Sequence, residues 1–293
     1  MKKILRSFIF VSVCAAAIIF GSTAFAEPFY SQTIGGATGL ISTPTADVAW
    51  KEGTNIGLDF GMHYLRDDKW ALNPKVTASF AGKFEVGAMF DWQERPWPRD
   101  EKENDLLFHG KWKFYRGSNF DLAFGGNFQF IDLRNSDTDG EVIQLYVAGT
   151  YSTMLFCCIP ADFTFTIGKS FNPWGVRLKT RTSNREFRFI AKLVDEDGYT
   201  RAGDIDFGFG VDIDLWPTVL GGYVHWISDF ANYSYTADPM GVDPNYSACF
   251  NTGLRIQPLR GRSNFKWNID LLITDFMDHT RDWGIGTTFG FAL

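Results

Sequence analysis

The sequence predicts an all-β protein: a transmembrane antiparallel β-barrel of about fourteen strands, with twelve as the alternative, after a cleaved signal peptide. Three observations predict this fold class. Apolar and polar residues alternate with period 2 in segments of about ten residues through most of the chain, which is typical of barrel strands. The last eleven residues form one such segment. No later apolar run reaches the ~18 residues that a membrane helix needs, so a membrane protein of this kind must be a closed barrel.

Residues 1–26 have the features of a secretory signal peptide. Lys2, Lys3 and Arg6 form a basic start, and a largely apolar run follows. Ala24-Phe25-Ala26 matches the small-residue pattern of a signal-peptide cleavage site, with cleavage after Ala26. Loss of these three basic residues changes the formal net charge from -6 to -9. An acidic mature chain disfavours nucleic acid and anionic lipid as partners.

The closing segment, Trp283 to Leu293, has large apolar residues at its odd positions and mostly glycine, threonine or alanine at its even positions. Successive strand side chains point to opposite faces, so one face of this strand is large and apolar and must be buried or meet lipid. The segment resembles the C-terminal strand of bacterial outer-membrane barrels, which the barrel assembly machinery recognises. We therefore expect residues 283–293 to bind that machinery and to pair with the first strand. An edge strand of a soluble sheet is the alternative, although an exposed apolar edge invites aggregation.

Alternation starts at Ile56 and continues to the last residue, which predicts a barrel domain over residues 53–293. Residues 27–52 do not alternate cleanly and are predicted to be a periplasmic or plug segment. The longest connections, 94–104 and 231–246, are assigned to the outer side, and tight turns to the periplasmic side. Fourteen strands require that 175–181 is a strand of its own. Twelve result if this weak strand and its neighbour are loop.

Charged residues of both signs occupy the face opposite to the large apolar residues, and this face is expected to line the lumen. The predicted lumen-lining residues are Asp59, His63, Lys83, Glu85, Asp91, His109, Lys111, Lys113, Arg188, Asp206, Asp212, Asp214, Arg255 and Asp270, with Lys75, Asp121, Lys192 and Lys266 on the same face. If Gln93 lies opposite Asp105, then Glu85 lies opposite Lys113; if Arg188 lies opposite Asp212, that strand pair is bridged as well. Such cross-strand pairs contribute roughly 0.2–1 kcal/mol each. They either stiffen the wall or line a path for a hydrated solute.

No residue pattern predicts catalysis, a cofactor or a metal site. The histidines of the mature chain are His63, His109, His225 and His279; no two have a metal-ligand spacing, and no serine near them carries a recognisable motif. Cys157, Cys158 and Cys249 are an odd number, which excludes a complete disulfide framework. The expectation is a protein that is not an enzyme, with a barrel enzyme kept as an alternative.

The N-terminal segment contains a motif that reads Gly36-Ala-Thr-Gly-Leu-Ile-Ser-Thr-Pro-Thr-Ala-Asp47, followed by Gly53-Thr-Asn-Ile-Gly57. This motif resembles the start of the YjbH family of outer-membrane proteins, whose members are associated with exopolysaccharide production or export. The motif residues are Gly36, Gly39, Leu40, Thr43, Pro44 and Ala46. The two glycines permit unusual backbone angles and Pro44 would end a strand, so the segment could anchor the first strand or plug the lumen.

These observations predict a barrel in the bacterial outer membrane for passage or export of a polar solute. The resemblance implies a link to exopolysaccharide. The expected partners are outer-membrane lipid, the assembly machinery and a polysaccharide. Two alternatives remain: a structural or adhesive barrel that binds a partner through its outer loops, and an outer-membrane barrel enzyme.

Overall fold

The computed structural model describes the barrel wall and a segment inside it. The described residues are 31–51, 53–66, 70–94, 102–131, 140–156, 158–171, 205–220, 222–231, 249–259, 264–274, 276 and 282–293. The predicted signal peptide, residues 1–26, lies outside them. No helix in this part of the chain is long and apolar enough to cross a membrane.

Twelve of the described strands form one closed antiparallel barrel, and two short strands pair with each other. The strands are β1 Ser31–Gln32, β2 Thr38–Gly39, β3 Ile56–Arg66, β4 Trp70–Phe80, β5 Phe84–Glu94, β6 Lys102–Arg116, β7 Phe120–Ile131, β8 Gly140–Leu155, β9 Ile159–Phe171, β10 Asp206–Asp214, β11 Val224–Ala231, β12 Cys249–Ile256, β13 Phe265–Thr274 and β14 Asp282–Ala292. A short helix, α1 (Pro217–Leu220), lies between β10 and β11. The all-β barrel class predicted from the alternation is confirmed.

The closing strand β14 joins the two ends of the sheet. It pairs with β13 on one side and with β3 on the other, for example Phe289 opposite Phe60 and Gly286 opposite His63. Its glycines face the lumen, and a Cβ added at Gly290 would meet the Asp59 carboxylate at 1.9 Å. The small residues of the closing segment therefore make room for large polar side chains of the first barrel strand.

The strand number is twelve, the alternative given by the sequence, and not fourteen. Strand β9 pairs directly with β10 from Gly168 opposite Asp206 to Ala161 opposite Ile213. No further strand can therefore stand between them. The predicted strand 175–181 and its neighbour lie outside the described residues, in the connection between β9 and β10. Period 2 alone does not distinguish a short strand from a loop, so the alternation left both strand numbers open.

The predicted register between β5 and β6 was wrong by two residues. Glu85 lies opposite Lys111 instead of Lys113, and Asp105 lies opposite Asp91 instead of Gln93. The connection after β5 fixes the register of this hairpin. Strand β5 extends to Glu94 and β6 starts at Lys102, so the connection is shorter than the predicted loop 94–104.

Large apolar side chains cover the outer surface of the barrel. Phe60, for example, is 51% exposed, and Phe124 is 44% exposed. Other members of this belt are Met62, Val76, Val86, Phe108, Trp112, Leu145, Phe165, Ile167, Leu254, Leu271, Ile273, Ile285 and Phe289. Monomeric soluble proteins rarely expose contiguous apolar patches of such extent. This surface therefore requires lipid around it.

Candidate functional site in the barrel lumen

Residues 31–50, called here the lumen segment, lie inside the barrel, and every one of them is buried. The segment folds on itself. Strands β1 and β2 pair with each other, Ile34 N–H donates to the Ile41 carbonyl at 2.8 Å, and Thr45 N–H donates to the Thr38 carbonyl at 3.1 Å. An isolated bridge joins Gly39 to Pro44. The segment thus forms part of its backbone hydrogen bonds internally, and side chains of the wall supply partners for other backbone groups.

Two glycines of the motif are required by this local fold. Gly36 has a φ of 98°, a region that L side chains rarely adopt. A Cβ at Gly39 would lie 2.4 Å from the Thr43 carbonyl oxygen and 2.8 Å from Pro44 Cα. The other motif residues contact the wall. Pro44 O accepts from Thr166 at 3.0 Å, and Ala46 N–H donates to Thr150 Oγ1 at 2.9 Å.

Four cationic side chains of the wall donate to backbone carbonyls of the lumen segment. Lys75 Nζ lies 2.9 Å from Thr33 O and 2.6 Å from Ile34 O. Arg255 donates to the carbonyls of Gly39 and Leu40, each at 3.1 Å. Likewise, Lys111 donates to Thr38 O at 2.8 Å and to Thr45 O at 3.2 Å, and Lys266 donates to Ala49 O at 2.8 Å. Charge-assisted bonds of this kind contribute about 1.5–3 kcal/mol each.

Two carboxylates of the wall accept backbone N–H groups of the same segment. Asp229 Oδ2 accepts from Ile41 at 3.1 Å, from Ser42 at 2.6 Å and from Thr43 at 2.8 Å. Glu85 accepts from Thr38 N–H at 2.8 Å, from the Thr38 hydroxyl and from Ala49 N–H at 3.2 Å. The wall charges therefore bind mainly the backbone of the segment, whose one ionisable side chain, Asp47, lies 3.2 Å from Lys113 Nζ.

The cations are also paired with carboxylates of neighbouring wall strands. Arg255 Nε lies 2.9 Å from Asp270 Oδ1, and Lys266 Nζ lies 2.7 Å from Asp59 Oδ2. Trp50 of the segment lies against this second pair: its Nε1 donates to Asp59 at 2.9 Å, and Lys266 Nζ lies 5.0 Å from its ring centroid. Such pairing holds each long side chain in the orientation in which it contacts the segment.

Apolar side chains complete the contact between segment and wall. Ile34, Leu40 and Ile41 belong to one buried cluster, and its wall members are Leu65, Ala71, Met89, Leu107, Ile227 and Leu272. Leu107 and Met89 lie on the lumen-facing side of their strands, where the alternation predicts polar residues. Their inward position provides apolar surface for the segment within an otherwise polar lumen.

Towards the outer ends of the strands, acidic side chains of the lumen accept hydrogen bonds from amides. Asn73 Nδ2 donates to Asp91 at 2.7 Å. In the same way, Gln129 donates to Asp105 at 2.9 Å and Gln144 donates to Asp206 at 2.9 Å. This layer is therefore polar and hydrogen-bonded across strands.

Most predicted lumen residues face the interior. Those that are buried inside are Asp59, His63, Glu85, Asp91, His109, Lys111, Lys113, Asp206, Asp212, Asp214, Arg255 and Asp270. The prediction for Lys83 was wrong, because Lys83 does not face the lumen. It is exposed and ends the turn between β4 and β5, in which Ala81 and Gly82 both have positive φ. Lys83 N–H donates to Phe80 O at 3.0 Å and closes this turn. Arg188 lies outside the described residues, and its pairing with Asp212 was wrong, because Asp212 lies opposite Ile227 on β11 and opposite Asp162 on β9.

Sequence reasoning missed Asp229, the carboxylate with three bonds to the segment. It lies on β11, which starts at Val224. A search for an acidic residue in phase with His225 would have found it, because both residues face the lumen.

The three histidines in the described residues take part in this charged network, and His279 lies outside those residues. His63 Nδ1 lies 2.7 Å from Lys75 Nζ, His109 lies 3.7 Å from Glu85, and His225 lies 2.7 Å from Asp212. In the part of the chain that the structure describes, no group of three or more His, Cys, Asp or Glu side chains is placed to hold a metal ion. Cys158 is an exposed free thiol, and Cys249 is buried.

A closed antiparallel barrel with an apolar outer belt and a polar interior is the architecture of proteins that cross the bacterial outer membrane with strands. The chain is an outer-membrane β-barrel, with its belt in the lipid and a charged lumen that holds residues 31–50.

No family model and no curated protein matches the sequence. Among solved structures, the chain is similar to the KdgM porin at 8% identity, with 79% of this chain and 98% of that chain covered and a TM-score of 0.47. KdgM has also been solved in complex with disordered oligogalacturonate. Two further similar structures are Omp33 of Acinetobacter baumannii (7% identity, 82% and 98% covered, TM-score 0.38) and outer membrane phospholipase A of Escherichia coli (10% identity, 82% and 97% covered, TM-score 0.37).

Proposed function

We propose that the barrel conducts a polar solute across the outer membrane and that the lumen segment is the gate of this path. The observation that carries the proposal is the way in which the segment fills the lumen. Wall charges bind its backbone, and the segment is joined to the wall at one end through the chain that leads into β3. Displacing it would leave a lumen lined by Lys75, Lys111, Glu85, Asp229 and Arg255, which suits a hydrated solute.

The closeness of the fit supports a gate that is closed in this structure. A cavity between the segment and the wall, lined by Thr33, Gly35, Ala37, Ser42, Pro44, Leu107 and Asn127, has a volume of about 10 Å³. Such a volume holds roughly one water molecule. A solute larger than water does not fit in this cavity.

The resemblance of residues 36–47 to the YjbH family supports a polysaccharide as the solute, exported to the cell surface. Neutral or weakly charged sugars fit a wall in which cations and carboxylates alternate. Recognition by the assembly machinery through residues 283–293 belongs to the same proposal, and the proposal includes no catalytic step. The connections 95–101 and 232–248, which an adhesive barrel would use, lie outside the described residues.

Single-channel conductance in planar bilayers tests the gate. Asn251 Nδ2 lies 3.2 Å from Ser42 Oγ, so S42C/N251C would fix the segment to β12 by a disulfide in a background with C157S, C158S and C249S. We expect the oxidised protein to be closed and the reduced protein to open in bursts. The matched control carries N251C alone, and its conductance should not respond to reductant.

A variant that lacks residues 31–50 completes the test. Steady conductance from the refolded variant is expected. If this variant is folded and silent, while the full chain is silent with and without reductant, the proposal that the barrel is a gated path is wrong.

A further inference from the structure

The contacts inside the lumen resemble those between a protein and a bound peptide more than those of a folded core. The carbonyls of Thr38, Gly39 and Leu40 and the N–H groups of Ile41, Ser42 and Thr43 bind wall side chains over consecutive residues. We propose that the lumen is a polypeptide-binding site, in which residues 31–50 are an intramolecular ligand, and that it accepts the same segment in trans from a second copy of this chain.

Backbone recognition is the first argument. Arg255 and Lys111 supply donors to carbonyls, and Asp229 and Glu85 supply acceptors to N–H groups. A polysaccharide or an inorganic ion offers no such succession of alternating donors and acceptors at the spacing of a peptide. These wall groups are therefore complementary to a polypeptide main chain, as in other modes of peptide recognition that use main-chain hydrogen bonds.

Apolar surfaces on the wall supply the sequence preference. Ile34, Leu40 and Ile41 are each at most 2% exposed, and they belong to the cluster that includes the wall residues Leu107 and Ile227. Leu40 also lies against Gly210, where an added Cβ would lie 2.3 Å from Leu40 Cδ1. Burial of an aliphatic side chain contributes about 1.5–3 kcal/mol. A peptide without these side chains would lose most of that contribution.

The segment is suited to exchange because it carries its own fold and a single described tether. Its hairpin contacts, Thr33 N–H to Ala37 O at 2.7 Å and Leu40 N–H to Thr43 O at 3.0 Å, are internal. The tether, residues 51–55, leads to Ile56 at the end of the barrel that carries the short turns. A segment from a second copy can therefore enter from the periplasmic end without crossing the belt.

The experiment uses the full mature chain with its wall unchanged and its own segment weakened by Ile41→Asp. The probe is a synthetic peptide of residues 31–51 with a fluorophore at its C-terminus, and binding is followed by anisotropy. We expect the I41D chain to bind this peptide at least about tenfold more tightly than the wild-type chain, in which the native segment competes. The control peptide carries the same I41D substitution and should not bind either chain.

A covalent trap locates the bound peptide. In a background with C157S, C158S and C249S, a peptide with Ser42→Cys should form a disulfide with a chain that carries I41D and N251C, and not with one that carries I41D and N264C. Asn264 directly precedes β13 and lies at the opposite end of the wall from Asn251, which is near the start of β12. Gly39→Ala in the chain provides a second way to weaken its segment if I41D prevents folding. The absence of both binding and trapping in folded I41D and G39A chains overturns the proposal.

These outcomes are separate from those of the conductance test. A barrel that I41D opens but that binds no peptide would retain the gate and lose the peptide site. A barrel that binds the peptide in the lumen without any change in conductance would retain the site and lose the gate.

Discussion

Asp229 shows how much one wall residue contributes to the closed lumen. Its carboxylate accepts three successive N–H groups of the lumen segment through Oδ2 and one amide hydrogen of Asn251 through Oδ1, at 2.8 Å. Consecutive backbone N–H groups that converge on one point form an anion-binding site. The turn at residues 41–43 is thus held by a negative charge that comes from β11.

Replacement of Asp229 by Asn should loosen this turn while the barrel stays folded. The amide oxygen still accepts a hydrogen bond, but the loss of charge weakens all three, by about 1.5–3 kcal/mol in total. We expect hydrogen exchange at Ile41, Ser42 and Thr43 to accelerate roughly 10- to 100-fold. Mass spectrometry of peptides that contain residues 40–44 measures it.

Asp105→Asn is the matched control, because its carboxylate accepts from Gln129 on the neighbouring wall strand at 2.9 Å. Exchange in residues 40–44 should be unchanged in this variant. Equal acceleration of hydrogen exchange in both variants would mean that the substitutions act through the stability of the whole barrel. The role given to Asp229 would then be wrong.

Individual residues differ in how far the sequence could predict them. Gly36 and Gly39 could be singled out as backbone positions, because glycine is the residue that tolerates positive φ and close approach. Their partners could not be predicted, since Asp229 and Arg255 are about 190 and 215 residues away from the segment. Such contacts depend on the closed barrel, which brings distant strands around one lumen.

At the level of elements, alternation located most strands, while register and strand number required the structure. The period of 2 determines which residues face lipid, and it is unchanged by a shift of two residues between neighbouring strands. For this reason the predicted pairing of Glu85 with Lys113 had the right face and the wrong partner. The number of strands was uncertain for a related reason, because a connection with weak alternation can resemble a strand.

Cross-linking distinguishes the two registers of β5 and β6 on the lipid-facing side. The structure places Ala88 opposite Phe108, whereas the register predicted from the sequence would place it opposite Gly110. Directly opposed strand residues have Cα atoms about 4.5–5.5 Å apart, within the range of a disulfide. We expect A88C/F108C to oxidise, and A88C/G110C to remain reduced, in a background without other cysteines.

Gel mobility with and without reductant, after cleavage in the connection at residues 95–101, reports the cross-link. Both variants keep the lumen side chains unchanged, so a difference between them reflects the register alone. Oxidation of A88C/G110C in preference to A88C/F108C would show that β5 and β6 are paired as the sequence suggested.

At the level of the whole molecule, two surfaces of opposite character result from the same alternation. One face of each strand contributes to the apolar belt, and the other contributes to the charged lumen that holds the segment. The sequence indicated both surfaces. That residues 31–50 fill the lumen was only one of the two options that the sequence left open. Whether the segment fills the lumen depends on the shape of the lumen, on the inward-facing Met89 and Leu107, and on the small residues of β10 and β14. These residues come together only when the barrel closes.

The belt makes a prediction for the stability of the whole barrel. Phe124 lies in the middle part of β7, is outward-facing and is 44% exposed. Trp283 is the second residue of β14 and lies at the side of the barrel that carries the long connections. An arginine on the lipid face costs about 2–4 kcal/mol at the bilayer midplane and about 0–1 kcal/mol near the interfaces. We therefore expect F124R to lower the free energy of unfolding in lipid vesicles by about 2–4 kcal/mol, and W283R to lower it much less. Urea titration followed by the heat-dependent gel shift of folded barrels measures both. Equal losses for the two variants would contradict the position of the belt, because a surface that meets water has no dependence on depth.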